Sequence, residues 1–184
     1  MLFRSRYDSL TSLLNRAALY ESLDACFRDG GAKGSPAAVL YLDLDSFKPI
    51  NDGHGHDAGD AVLQQVSQRI LGQVRATDMV ARIGGDEFVI VLPGLGDRAE
   101  ASRIADAIAG AVARPIEFGG QQLCINGSIG ISMYPVDGSN TDTLLRCADE
   151  DMYRVKLSHR GERPKSDGRV SGSEFATTTN RQIA

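Results

Sequence analysis

The stretch "ARIGGDEFVIVLP", Ala81 to Pro93, is where the reading of this chain turns. Two glycines are followed by two carboxylates and then by a run of strand formers. Acids are depleted from strands, so a pair of them at the mouth of one is either an ordinary polar turn or a pair of ligands held where a sheet opens to solvent. With "MVARI" just upstream, Gly84-Gly85 reads as a two-residue turn between two strands, which makes this an antiparallel hairpin.

Working outward, "AAVLYLDLD", Ala37 to Asp45, reads as a strand buried on both faces, because the apolar run barely alternates. It ends abruptly in Asp43 and Asp45. "INDGHGHDAGD", Ile50 to Asp60, reads as a polar, glycine-rich loop, and "GGAKGSP", Gly30 to Pro36, as another. Helical stripes fall on Leu19, Leu23, Cys26 and Phe27; on Val62, Val66 and Ile70; on Ile104, Ile108 and Val112; and on Leu145, Ala148, Met152 and Val155. "QLCIN" and "SIGISMY" are strand-like around Gly127. From Gly161 onward periodicity vanishes and small polar residues accumulate, so residues 162–184 are expected to be a disordered tail. The order is helix, strand, helix, hairpin, helix, two strands, helix, with no internal repeat. It predicts an α+β sandwich: one central mixed, largely antiparallel sheet wrapped by helices, not a doubly wound parallel sheet.

The bulk properties fit one soluble domain. The chain has 184 residues, 42% hydrophobic and 24% charged, with a net charge of −4. There is no basic surplus of the kind a nucleic-acid binder carries. Three cysteines at wide spacings, Cys26, Cys124 and Cys147, fit neither a disulfide framework nor a zinc site and point to a reducing compartment. No apolar run approaches membrane-spanning length and no signal peptide is visible, so no membrane contact is expected from this segment. "MLFRSR" reads as the end of an upstream linker, residues 1–7.

If the strand ending in Asp43 neighbours the hairpin, Asp43 and Asp86 meet at one end of the sheet and repel unless a cation sits between them. Hard oxygen ligands without His or Cys suit Mg²⁺ or Mn²⁺. On spacing alone, Asp43, Asp45 and Asp86 serve equally well as strand-end polar residues facing water. The segment after the strand supplies parts for a nucleotide: backbone amides near Ser46 and Phe47, the charge of Lys48, and Asn51 and Asp60. An aspartate can accept guanine N1–H and N2–H₂ together, so a buried Asp60 would prefer guanine over adenine. No P-loop motif is present. His54 and His56 do not have usual zinc spacing.

These residues together resemble the GGDEF-domain diguanylate cyclases, which join two GTP molecules into cyclic di-GMP. The signature stands as Gly84-Gly85-Asp86-Glu87-Phe88. "DSLTSLLNR", Asp8 to Arg16, is similar to the family's opening D-x-L-T-x-L-x-N-R, and "DLDSFKPINDGHGHDAGD", Asp43 to Asp60, to its D-x-D-x-F-K-x-I-N-D-x-x-G-H-x-x-G-D. "SIGIS" and "ADEDMYRVK" match later segments, so the resemblance spans residues 8–161 as one domain. It implies the fold shared with nucleotidyl cyclases and the polymerase palm. It also implies metals on Asp43, Asp86 and the Leu44 carbonyl, with Asp86 taking the proton of the attacking hydroxyl and Glu87 a further catalytic candidate. Asn51, His56 and Asp60 would contact guanine and ribose; Phe47 and Lys48, Lys156 and Arg160 would contact phosphates. The family's closing K-x-x-G-R-N appears as Lys156 to Gly161, with His159 in place of the glycine and Gly161 in place of the asparagine. A glycine there commonly takes positive φ, which His does only at a cost, and this bears on the placement of Arg160. "RATD", Arg75 to Asp78, stands at the offset of the family's inhibitory R-x-x-D site, where Arg and Asp would hold the product's guanine edges. Otherwise it is an ordinary exposed ion pair.

The resemblance therefore implies a Mg²⁺-dependent enzyme acting on GTP in a bacterial cytoplasm. It would be inhibited by its product, pair weakly or through nucleotides into a homodimer, and belong to a larger sensor protein. The competing reading is a degenerate domain that binds GTP or cyclic di-GMP and regulates a neighbour without catalysis.

Overall fold

The computed structural model describes residues 6–29 and 35–161, except for the side chains of residues 27–29, 160 and 161. The expected linker is therefore described only at residues 6 and 7. The 162–184 tail, most of the Gly30–Pro36 loop and the side chain of Phe27 lie outside the described residues.

Eleven elements follow one another among them: α1 (Arg16–Asp29), β1 (Ala37–Asp45), α2 (Phe47–His54), α3 (His56–Leu71), β2 (Met79–Arg82), β3 (Glu87–Pro93), α4 (Arg98–Val112), β4 (Ile116–Phe118), β5 (Gln121–Leu123), β6 (Asn126–Tyr134) and α5 (Thr141–Gly161). The main sheet has the order β2-β3-β1-β6. Its pairings are antiparallel throughout, and an isolated parallel bridge joins Leu14 to Ala81 at its margin.

Side chains alternate across a strand, so β1 serves two cores at once. Leu40, Leu42 and Leu44 pack with Phe88, Ile90, Leu92, Ile129 and Ile131 under α3 and α4, where Val62, Val66, Ile70, Ile108 and Val112 are buried as the helical periodicity predicts. Val39, Val89 and Val91 face the other way, under α1 and α5, against Leu19, Leu23, Leu144 and Ala148. On that second face the middle of β6 presents Ser128, Gly130 and Ser132, small residues, with Tyr134 at its end. A Cβ on Gly130 would stand 2.0 Å from Met152 N, so the helix lies with its backbone directly on the strand. Ser132 donates to the Leu144 carbonyl at 2.8 Å from the same stripe.

Three expectations change. "INDGHGHDAGD" is not a loop. It is the end of α2 and the start of α3, with the chain turning only at Gly55, whose φ is 84°. Pro49 sits in the first turn of α2, where its missing N–H has no intrahelical partner to lose, so it does not break the helix. Gly84-Gly85 is not a two-residue turn either. Four residues, Ile83–Asp86, lie between the end of β2 at Arg82 and the start of β3 at Glu87, and neither glycine is at positive φ. The true two-residue turn is Gly119-Gly120, with φ of 57° and 77°, which joins β4 to β5 in a hairpin the sequence reading missed.

Candidate functional site

Asp43 lies in β1 directly opposite Glu87 of β3, and the Leu44 amide donates to the Asp86 carbonyl at 3.2 Å. This pairing brings Asp43, Leu44, Asp86 and Glu87 to one end of the sheet. Burial pushes the Asp86 carboxyl above the ordinary carboxylate range, and the charge of Asp43 adds to the effect. The site thus carries more negative charge than its surroundings neutralise. Lys156, near the end of α5, supplies one counter-charge: its ammonium hydrogen-bonds Asp43 Oδ1 and lies 4.0 Å from Asp45.

Asp45, two residues on and on the same face, is held by Ser128 Oγ, which is 3.0 Å from each of its carboxylate oxygens. His159 Nδ1 lies 3.4 Å from Ser128 Oγ and 3.8 Å from Asp45. Among the described residues Ser12 and Ser46 are the non-glycine positions at positive φ, so His159 continues α5 without the left-handed strain feared for it. The helix carries on through Arg160, whose side chain is outside the described residues.

On the other side of the opening, Ser46 takes φ 62° as it starts α2. Phe47 is half-buried and packs on the main core, while Lys48 is exposed. Asn51 stands over Gly59: a Cβ on Gly59 would meet Asn51 Oδ1 at 1.9 Å. The bare glycine lets the Asn51 amide lie across the start of α3. His56 and Asp60, both on the first two turns of α3, are exposed. The Asp60 side chain is not buried by the protein, contrary to the assumption behind its guanine preference, so any desolvation must come from the base itself. Among the described residues no ligand cluster forms around His54 and His56.

Glu87, expected beside the metals, stands near enough to Asp86 for its charge to push that carboxyl up further, and its own carboxylate has a second partner. It accepts a hydrogen bond from the Tyr41 hydroxyl at 2.9 Å. Burial, and then the Glu87 carboxylate, push the Tyr41 phenol well above its ordinary value. This contact was invisible in the sequence because it depends on strand register.

Arg75 and Asp78 form a closed turn. The Arg75 amide donates to Asp78 Oδ2 at 2.7 Å, and the Asp78 amide donates back to the Arg75 carbonyl at 3.0 Å. The Arg75 guanidinium is 74% exposed, with Glu100 at 3.8 Å.

Among the described residues no group of three or more His, Cys, Asp or Glu side chains forms a ready-made ion cage. Two carboxylates and a carbonyl, with surplus negative charge, nevertheless fit a hard divalent ion that leaves several positions to water or phosphate oxygens. No helix among the described residues is long and apolar enough to cross a membrane.

Comparison with known proteins matches residues 5–162 to the family model described as "Diguanylate cyclase, GGDEF domain". Diguanylate cyclase TpbB of Pseudomonas aeruginosa is 44% identical over 161 residues, 87% of this chain and 37% of that protein. Response regulator PleD of Caulobacter vibrioides is 38% identical over 156 residues, 83% of this chain and 34% of that one. A structure of TpbB comprising only the GGDEF domain superposes with a TM-score of 0.79 at 44% identity, covering 83% of this chain and 89% of that one. The GGDEF domain of DgcB from Caulobacter crescentus, solved in complex with c-di-GMP, gives 0.77 at 27% identity, covering 86% and 92%. The chain spans between a fifth and about two fifths of the length of curated relatives it matches.

Proposed function

The chain belongs to the GGDEF family of diguanylate cyclases, and from that premise we propose that it condenses two GTP molecules into cyclic di-GMP and pyrophosphate. One observation carries the reading: Asp43 and Asp86, from separate strands, share one end of the sheet with Lys156 beside them. In each half-reaction the 3′-hydroxyl oxygen of one GTP attacks the α-phosphorus of the other. The new O–P bond forms as the bond to pyrophosphate breaks, and a second pass closes the ring.

Asp43, Asp86 and the Leu44 carbonyl would hold Mg²⁺ or Mn²⁺. Such an ion, when bound, offsets charge on the phosphoryl oxygens and makes a bound hydroxyl more acidic. Asp86 is the group to accept the hydroxyl proton, with Glu87 a further catalytic candidate near the metals. Lys156 would pass from Asp43 to a phosphate oxygen, joined by Lys48, Arg160 and the amides near Phe47. Asn51, His56 and Asp60 line the α2–α3 corner for ribose and guanine. Arg75 and Asp78 form a separate product site for feedback. Because each GTP must be nucleophile and electrophile in turn, two domains would face each other across a two-fold axis, drawn together weakly by their nucleotides. Such activity belongs to the bacterial cytoplasm, within a larger signalling protein.

The test is incubation of the purified protein with GTP and Mg²⁺, followed by product identification. Asp86→Asn keeps size and removes charge, and turnover should fall by about 10²-fold or more while the fold persists. Full turnover in a folded Asp86→Asn protein refutes the assignment. GTP bound by the wild type with no product formed would move the chain to the regulatory reading.

A further inference from the structure

His159 stands where the closing segment K-x-x-G-R-N has glycine, so the shared motif gives this ring no part. Its surroundings do. Ser128 is fully buried and sits opposite Asp43 in the β1–β6 pairing. Its hydroxyl reaches along β1 to Asp45, 3.0 Å from each carboxylate oxygen. A hydroxyl has one proton, and an oxygen this close to both oxygens of a carboxylate turns it toward them. Ser128 Oγ then has only lone pairs left for His159 Nδ1 at 3.4 Å, so Nδ1 carries a hydrogen and donates. With Nδ1 engaged by the protein, Nε2 is the ring nitrogen left for a ligand. The His159 side chain is 49% exposed, against 19% for Lys156, so the ring stands at the rim of the site. Lys156 lies three residues earlier, on the same side of α5. The two flank one carboxylate: Lys156 Nζ is 4.0 Å from Asp45 Oδ1, and His159 Nδ1 is 3.8 Å from Asp45 Oδ2.

We propose that His159 is a further nucleotide contact of this chain, its Nε2 meeting a phosphate oxygen beside Lys156 while Ser128 and Asp45 hold the ring in place. The proposal rests on the reading of Lys156 as a phosphate contact made above. One proton lies between Nε2 and the phosphate oxygen. It is the second proton of the imidazolium, so both ring nitrogens donate, Nδ1 to Ser128 and Nε2 to the ligand. Lys156 and Asp45 are the charges that face the ring. A hydrogen bond between two charged partners is shorter and stronger than a neutral one. A glycine offers no such atom, so the contact belongs to this chain and not to the motif. Ser128 is a positioning residue: it acts through the ring, by fixing which nitrogen faces out.

The test measures, by calorimetry with Mg²⁺, the binding of the GTP analogue whose α- and β-phosphates are joined by a methylene group and which cannot release pyrophosphate. His159→Ala should bind it about tenfold more weakly, the scale of one charge-assisted hydrogen bond. Glutamine places an amide nitrogen near the Nε2 position and asparagine near that of Nδ1. His159→Gln should therefore stay within about threefold of the wild type, while His159→Asn falls with alanine. Ser128→Ala should weaken binding about threefold in the wild-type background and not at all beside His159→Ala, the mark of two residues acting as one. In turnover, the His159→Ala loss should fall on KM for GTP with little change in kcat, because the contact is made before the reaction and persists through it. If Lys156→Ala loses affinity while His159→Ala binds like the wild type, the His159 contact is refuted and the reading of Lys156 stands. Undiminished binding by Lys156→Ala overturns that reading and the proposal with it. Binding kept by asparagine and lost by glutamine would put the effect in Nδ1 and refute the contact. Additive losses from Ser128→Ala and His159→Ala refute the proposal equally. Should Ser128→Ala fail to fold, the three His159 variants decide alone.

Discussion

The same substitution at two glycines is expected to move stability in opposite directions. A Cβ on Gly130 would stand 2.0 Å from Met152 N, 2.1 Å from Ala148 O and 2.7 Å from Met152 Cα. All three are helix backbone atoms, so no rotamer change relieves them. Ordinary contact begins at 3.4 Å, and α5 would have to lift by about 1.5 Å over its middle. Overpacking costs about 1–3 kcal/mol where side chains can yield. Backbone against backbone puts Gly130→Ala at the top of that range, about 3 kcal/mol, or a fall in Tm of roughly 6–12 °C for a chain of this size. Gly110 lies on the exposed side of α4 with nothing within 4 Å of its would-be Cβ. There alanine improves helix propensity and restricts the unfolded chain, for a gain of about 0.5–1 kcal/mol. Urea unfolding followed by far-ultraviolet circular dichroism measures both. Lys156 is one turn beyond Met152, so Gly130→Ala should also loosen its hold on Asp43 and lower activity at temperatures where the domain is still folded. A Gly130→Ala protein within about 0.5 kcal/mol of wild type, the range of ordinary surface changes, would refute the picture of α5 lying flush on β6.

Arg75→Ala should relieve inhibition by cyclic di-GMP and leave the initial rate nearly intact, because the Arg75–Asp78 turn is apart from Asp43 and Asp86. Equal cyclic di-GMP affinity in both proteins, by calorimetry, would reduce the turn to a surface ion pair. For Asp8, burial alone would raise the carboxyl. The Thr11 hydrogen bonds and Arg82, 3.1 Å away, outweigh it and hold the group below its ordinary 3.8. A lowered carboxyl stabilises fully above its unfolded value, and that contribution fades as pH falls through the folded one. The stability difference between wild type and Asp8→Asn should therefore be constant from neutral pH down to about pH 5 and shrink below pH 4, as read from urea midpoints. Finally, specific activity should rise with protein concentration, and a leucine zipper fused before Met1 should raise it further by effective concentration. Activity unchanged on dilution would mean that one domain acts alone.

The sheet and its helices were legible where burial imposes a period. Val62, Val66 and Ile70, or Leu145, Ala148 and Met152, can only be one face of a helix packed on a core. The end of α2 and the start of α3 were not legible, because glycines and polar residues dominate them and their stability comes from Ile50, Ala58 and Gly59 packing beneath. The glycine pairs misled in both directions. Gly84-Gly85 looked like the tight turn, while Gly119-Gly120, next to residues with little alternation, passed unnoticed. The carboxylates of the site could be gathered from the chain by resemblance and by their positions at strand ends. Their partners could not. Tyr41 on Glu87, Ser128 on Asp45 and Lys156 on Asp43 join positions 46, 83 and 113 residues apart, and only register and helix docking bring them together.

The central place of β1 has a kinetic meaning. Leu40 pairs with Ile90 and Ile131, partners far along the chain on its two flanks. Pairings this distant must overcome loop-closure entropy before they return any energy, and topologies rich in them fold slowly. Asp43, Asp86 and Lys156 come from three regions that meet only when both flanks of β1 are closed and α5 has docked. On the proposed assignment, a nucleotide that touches all three finds them together only in the assembled domain. Such contacts slow escape from the native state and leave the rate of reaching it unchanged. A bound nucleotide is then a latch on the finished domain, giving it a longer lifetime without helping the chain to find its shape.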